Sequence, residues 1–319
     1  MKCLESYFQE LIENRNPENL YKPIGYILEQ GGKRIRPRLV YLANEIFGGD
    51  VSKAVYPAAA FEMLHNFTLI HDDIMDKAPI RRGKETVYKK WNSNIAILSG
   101  DALATMALQQ LLKTPCDQDT KLKMTELFLQ TSLEVCEGQQ YDLDFEVQEE
   151  VSLDQYLMMI KYKTAVMLSG CLKVGAILAG ASEEQQQLIY DFGIKIGLAF
   201  QLTDDILDLY SDVVAFGKVK GGDIKANKKT FLYLMALQDA NENQKKDLKY
   251  YFSSIDFDFE EKLHAVQEIF ESLDVRTKTE KYVEKFIYEA LEIVEKLDIS
   301  AEAKSKLQQI TQEFSHRNK

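Results

Sequence analysis

Every proline of this 319-residue chain lies in its first 115 residues, at Pro17, Pro23, Pro37, Pro57, Pro79 and Pro115, and no glycine follows Gly222. The long remainder is rich in Leu, Lys, Glu, Gln and Ala, residues that lose little on entering a helix, and it holds no strong breaker. Within it, YVEKFIYEALEIVEKL places apolar residues at 282, 286, 287, 290, 293, 294 and 297, the spacing of a helical face. Strand alternation bounded by a tight turn appears nowhere with comparable strength. The prolines and glycines of the first half fall between amphipathic segments, as loop punctuation does. The chain therefore reads as all-α, a bundle of long helices. No Gly/Ser-rich or charge-run linker divides it, so a single domain over residues 1–319 is expected.

Apolar residues make up 45% of the chain and charged residues 28%, the balance of a globular protein. The 39 basic and 50 acidic residues leave a net charge of −11, which argues against nucleic acid as a partner. A small anionic ligand remains compatible, because basic clusters or metal ions reverse the field locally. Cys3, Cys116, Cys136 and Cys171 form no C-x-x-C pair and read as reduced thiols of a cytoplasmic protein. The histidines His65, His71, His264 and His316 lack metal-ligand spacing, apart from His71 beside a group of aspartates. No run of about eighteen apolar residues exists, and the N-terminal MKCLESYFQELIENRN is charged and amphipathic. Neither a transmembrane helix nor a secretion signal is expected.

Two segments then stand apart. LIHDDIMDKAPIRRG (69–83) and QLTDDILD (201–208) share an apolar frame and the pattern D-D-x-x-D. On a helix, residues advance by roughly 100°, so Asp72 and Asp76 fall one turn apart on one face, in line with Thr68 and His65. Asp204 and Asp208 repeat this, in line with Gln201 and Gly197. Carboxylates at i,i+4 repel one another when left alone. They become favourable around a hard divalent cation such as Mg²⁺, which takes carboxylate, water and phosphate oxygens. The alternative, a solvated acidic face, fits poorly with flanks as apolar as FTLI and GLAFQL.

The basic residues point to a phosphate-bearing substrate. GGKRIRP (31–37) sets Lys33, Arg34 and Arg36 in a loop leading into a helix, where backbone N–H groups and cations together grip an anion. Arg81 and Arg82 follow Pro79, which should end the aspartate-bearing helix and leave both on a loop at its mouth. KYKT (161–164) and FGKVKGGDIKANKKT (216–230) add Lys163, Lys218, Lys225 and Lys228. There is no Ser/His or Cys/His pair and no P-loop, so ionisation chemistry with a departing diphosphate fits best.

Together and in this order, GGKRIRP, HDDIMD with RRG, KT, QLTDDILD, and FGK followed by K-x-T resemble the motifs of the trans-isoprenyl diphosphate synthase family (polyprenyl synthetases), over about residues 24–235. The resemblance implies the isoprenoid synthase fold, an all-α bundle around a central cavity, usually as a homodimer. It implies condensation of isopentenyl diphosphate with an allylic diphosphate (dimethylallyl, geranyl or farnesyl), with three Mg²⁺ ions bridged by substrate diphosphate. Asp72, Asp76 and Asp204 are then the first choices as direct metal ligands, with Asp73, Asp205 and Asp208 nearby or acting through water; Asp208 completes the metal set. Arg81, Lys163, Gln201, Lys218 and Lys228 match positions that contact the allylic diphosphate, and Thr164 lines the same region. Lys33, Arg36, His65 and Arg82 match the isopentenyl diphosphate pocket. Arg34, Lys225 and Asp101 receive no role, and EGQQYD (137–142) matches a family pattern without one.

The resemblance also makes Phe67, five residues before the first aspartate, a wall that sets product length; a core phenylalanine is the competing reading. A large side chain there implies farnesyl or geranylgeranyl diphosphate, and the absence of a two-residue insertion in the first motif tilts this toward geranylgeranyl. The alternatives are a longer-chain synthase or a non-catalytic regulatory subunit, although such subunits tend to lose the aspartate motifs. A terpene cyclase would have no use for GGKRIRP or a second D-D-x-x-D.

Overall fold

The structure, a computed structural model, describes residues 2–211, 220–253 and 257–315. Lys218 and the C-terminal HRNK lie outside them. The fold is all-α, as the patterning predicts. Among the described residues, strand is confined to the two-residue pair Ile80–Arg81 (β1) and Lys84–Glu85 (β2).

Contacts between Cα atoms divide the chain into two compact units, Met1–Ser132 with Gly170–Tyr190, and Leu133–Ser169 with Asp191–Lys319. The first contains α1 (Lys2–Ile12), α2 (Glu18–Glu29), α3 (Ile35–Ile46), α4 (Val55–Met75), α5 (Val87–Lys90) and α6 (Ser93–Leu112). Its centre is the packing of α4 on α6. The small Ala58, Ala59 and Ala60 let the helices approach, while Phe61, Met63 and Leu64 fill the space between elements. Sealing each of these larger side chains contributes about 1.5–3 kcal/mol.

By length and composition α6 could cross a membrane, unlike the expectation drawn from contiguous apolar runs. Ser99, Asp101, Gln109 and Gln110 break the run, yet the helix as a whole stays apolar. In the first unit, Ala96, Leu103, Met106 and Ala107 of this helix are buried, and α2 and α4 pack against it.

Three helices, α7 (Gln118–Val147), α9 (Val166–Leu178) and α10 (Glu183–Tyr210), contribute residues to both units. The second unit adds α8 (Leu153–Ile160), α11 (Gly222–Lys225), α12 (Phe231–Asp239), α13 (Glu242–Tyr251), α14 (Phe259–Ser272), α15 (Val275–Lys296) and α16 (Ala301–Ser315). Its core gathers Tyr156, Leu202, Phe231, Phe270 and Phe286. Ser152 starts α8 with a reciprocal capping box to Gln155. That helix leads into a π-helical turn, Lys161–Ala165, before α9 begins.

Candidate active site

In the first unit, α4 carries His65, Phe67, Asp72 and Asp73 and stops at Met75, four residues before the proline expected to end it. Asp76 is its C-cap, donating its N–H to the Asp72 carbonyl at 2.8 Å. Lys77 follows in the left-handed region, φ 51°, and the Ala78 N–H returns to the Asp73 carbonyl at 3.0 Å. Arg81 and Arg82 do not lie on an open loop. Arg81 is in β1, while Arg82 and Gly83, φ 52° and 74°, turn the chain into β2 with Arg81 opposite Lys84. This hairpin folds Arg81 back onto the aspartates, with Nη2 3.0 Å from Asp72 Oδ2 and Nε 2.7 Å from Asp73 Oδ1.

Asp73 is buried, and its second oxygen has no hydrogen-bond partner. Burial pushes its carboxyl up to about 6, against the opposing pull of Arg81. Asp72 is partly exposed and Asp76 exposed.

The GGKRIRP loop is held from two sides. Arg34, φ 46°, is buried; Nη1 donates to Glu62 Oε1 at 2.7 Å, Nε to Glu5 Oε1 at 3.1 Å, and Nη2 to the Leu28 carbonyl at 2.5 Å. From the hairpin, Arg82 donates to the Gly31 carbonyl. Gly32, φ 121°, admits this approach, because a Cβ there would sit 3.1 Å from the Arg82 guanidinium. Lys33 is left exposed and Arg36 half-buried. Half-buried His65 is held well below its ordinary pKa, by burial first and then by the charges of Arg36, Arg82, Arg81 and Arg34. The imidazole is thus neutral within a cationic pocket.

Phe67 is half-buried. Its ring meets that of His71 edge-on, centroids 4.7 Å apart. His71 Nε2 lies 3.3 Å from the Ile97 carbonyl and 3.8 Å from Asp101, over Gly100, where any side chain would overlap the imidazole.

In the second unit, a cavity of about 100 Å³ is lined by Asp142, Lys163, Thr164, Gln201, Asp205 and Lys228, with Tyr156 among its apolar walls. Thr164 Oγ1 donates to Gln201 Oε1 at 3.0 Å, and Gln201 Nε2 donates to Asp205 Oδ1 at 3.1 Å. The Tyr156 hydroxyl donates to Asp205 Oδ2 at 2.6 Å. Burial pushes Asp205 up to about 7, aided by Asp223 and Asp204 and opposed by the Tyr156 and Gln201 hydrogen bonds. Asp204 and Asp208 are partly exposed, and Asp208 Oδ2 accepts the Asp223 N–H at 3.0 Å. Lys218 cannot be placed, being outside the described residues. Lys225 is exposed, with its ammonium over the Phe259 ring.

The two motifs therefore share an internal order: the middle aspartate, Asp73 or Asp205, is buried and hydrogen-bonded, while its neighbours on either side keep exposure. Among the described residues, no group of three His, Cys, Asp or Glu side chains could hold a metal ion alone. The oxygen donors suit a hard cation that receives further oxygens from a ligand. Glu62, Asp142 and Tyr156, which support the basic and acidic groups, were not singled out by sequence. Only Asp142 had a signal, in EGQQYD.

The polyprenyl synthetase family model matches residues 17–270. The geranylgeranyl diphosphate synthase of Methanosarcina mazei is 40% identical over 235 residues, 74% of this chain and 72% of its own. That of Sulfolobus acidocaldarius is 37% identical over 258 residues, 77% of this chain and 78% of its own. A crystal structure of a geranylgeranyl pyrophosphate synthase matches at TM-score 0.93 and 42% identity, covering 100% of this chain and 99% of the other.

Proposed function

Because the chain belongs to the polyprenyl synthetase family and is an isoprenyl diphosphate synthase, a trans-prenyltransferase, we propose that it condenses isopentenyl diphosphate with an allylic diphosphate to make geranylgeranyl diphosphate. The observation that carries this reading is the matched pair of D-D-x-x-D motifs, each with outer carboxylates that keep solvent exposure and a buried middle one. The product length follows the names of the relatives and the bulk of Phe67.

In this reading, Asp72 and Asp76 of one motif and Asp204 and Asp208 of the other would hold Mg²⁺, three ions in all, with Asp73 and Asp205 backing them within their own motifs. Mg²⁺ held by these residues would supply Lewis-acid chemistry that draws charge from the departing diphosphate. Arg81, Lys163, Thr164, Gln201, Lys218 and Lys228 bind the allylic diphosphate and stabilise its negative charge as the C–O bond breaks. Lys33, Arg36 and Arg82 grip isopentenyl diphosphate beside neutral His65 and align its double bond with the allylic carbon. The released diphosphate takes the proton, so no dedicated side-chain base is needed. Phe67 ends the path of the growing chain.

We further read the chain as one catalytic domain, cytoplasmic and homodimeric. Exposed Ile97 and Leu98 on α6 and exposed Leu122 and Leu129 on α7 support self-association.

The test is incubation of purified protein with Mg²⁺, isopentenyl diphosphate and each allylic primer in turn, with products resolved by chain length. A twenty-carbon product that disappears with chelator is expected. No elongated product and no diphosphate release from any primer would overturn the enzyme reading.

A further inference from the structure

EGQQYD (137–142) lies on α7 without a role of its own, and three of its residues converge on one place. Gly138 is buried where any Cβ would overlap the Lys163 backbone nitrogen, so the α7 backbone is pressed against the π turn Lys161–Ala165. Tyr141 stacks its ring on Tyr162, centroids 6.4 Å apart and 21° from parallel. Asp142 Oδ2 lies 2.5 Å from Lys163 Nζ, with both side chains mostly shielded. A π turn inserts one extra residue into helical register. Here the glycine contact fixes the backbone of that turn, the ring stack fixes the residue before the lysine, and the carboxylate fixes the ammonium itself.

We propose that Asp142 is a positioning residue: it holds Lys163 in the cavity so that the ammonium meets an arriving diphosphate already oriented. This rests on the reading that Lys163 contacts the allylic diphosphate. A long, flexible lysine loses much rotamer freedom on binding, and a fixed partner removes part of that cost beforehand. An ammonium has three donors, so one can stay on Asp142 while the others turn to phosphate oxygens.

The experiment is a double-mutant cycle read by calorimetric binding of inorganic diphosphate in the presence of Mg²⁺, beside steady-state turnover. Asp142→Ala should weaken diphosphate binding about tenfold, as Lys163→Ala does, and the double variant should bind no more weakly than Lys163→Ala alone. Additive losses, unchanged binding, or tighter binding from relief of charge repulsion would each overturn the proposal. Should Asp142→Ala fail to fold, Asp142→Asn keeps the size, removes the charge, and should show the same dependence on Lys163. An active wild type with an unaltered variant overturns this inference alone. A wild type that neither elongates a primer nor binds diphosphate overturns the catalytic reading together with it.

Discussion

Arg34 and Glu62 form an ion pair of 2.7 Å with side-chain exposures of 1% and 3%, linking the start of α3 to the middle of α4. Truncating one member of such a pair strands a buried charge, which costs about 3–5 kcal/mol. Arg34 retains Glu5 as a second, half-exposed partner, so Glu62→Ala should fall at the low end of that range in denaturant unfolding. Since Arg34 braces the loop of Lys33 and Arg36, KM for isopentenyl diphosphate should rise more than KM for the allylic primer. Equal changes in both would refute a local effect on that loop.

Phe67→Ala should shift the product distribution to longer chains by removing the ring from the proposed wall. Chain-length-resolved product analysis decides this; an unchanged distribution removes Phe67 as the stop.

Gly100→Ala tests how Phe67 is held. The new methyl would displace the His71 ring, which supports Phe67 edge-on. A stability loss of about 1–3 kcal/mol is expected for overpacking, with a change in product length. Adding His71→Ala should recover stability by vacating the space.

The buried carboxyl of Asp205 makes stability fall as pH rises. Its pKa is raised from 3.8 unfolded to about 7 folded, so its contribution is fully present below 3.8 and is lost as pH climbs through 7. In metal-free protein, stability should drop from this group by about 2–3 kcal/mol between pH 5 and pH 8. Asp205→Asn carries a pH-independent penalty, because an amide cannot accept from both Tyr156 and Gln201. Its loss of stability over the same interval should be smaller than that of the wild type, by urea unfolding at each pH. Parallel curves would show that Asp205 is ionised throughout.

Much of the site was legible because its residues announce themselves locally. Two D-D-x-x-D patterns in apolar frames, and Lys33 and Arg36 after a glycine pair, need no tertiary knowledge to be noticed. The end of α4 was misplaced because left-handed Lys77, which carries no glycine signal, closes the helix before Pro79 can. The hairpin was missed because two-residue strands have no alternation to display. Tyr156 and Glu62 looked like ordinary helix residues; their roles come from partners 49 and 28 positions away in sequence. Periodicity set Asp72 and Asp76, and likewise Asp204 and Asp208, on one face apart from Asp73 and Asp205; that the middle aspartate is the one turned inward is decided by packing. Helix α6 shows the converse, since its average apolarity alone does not distinguish a core helix from a span.

The π turn at Lys161–Ala165 absorbs one extra residue between α8 and α9. Removing one residue there would restore an unbroken α-helical ladder, and the faces before and after it would keep their orientation. Tyr156 would stay on Asp205, and Met159 and Ile160 would stay on the cavity wall. What would be lost is the bulge itself, the stretch that brings Lys163 and Thr164 to the cavity. The turn acts as slack in a belt: the spare residue is taken up where the polar side chains stand, and the regular helix on either side runs undisturbed.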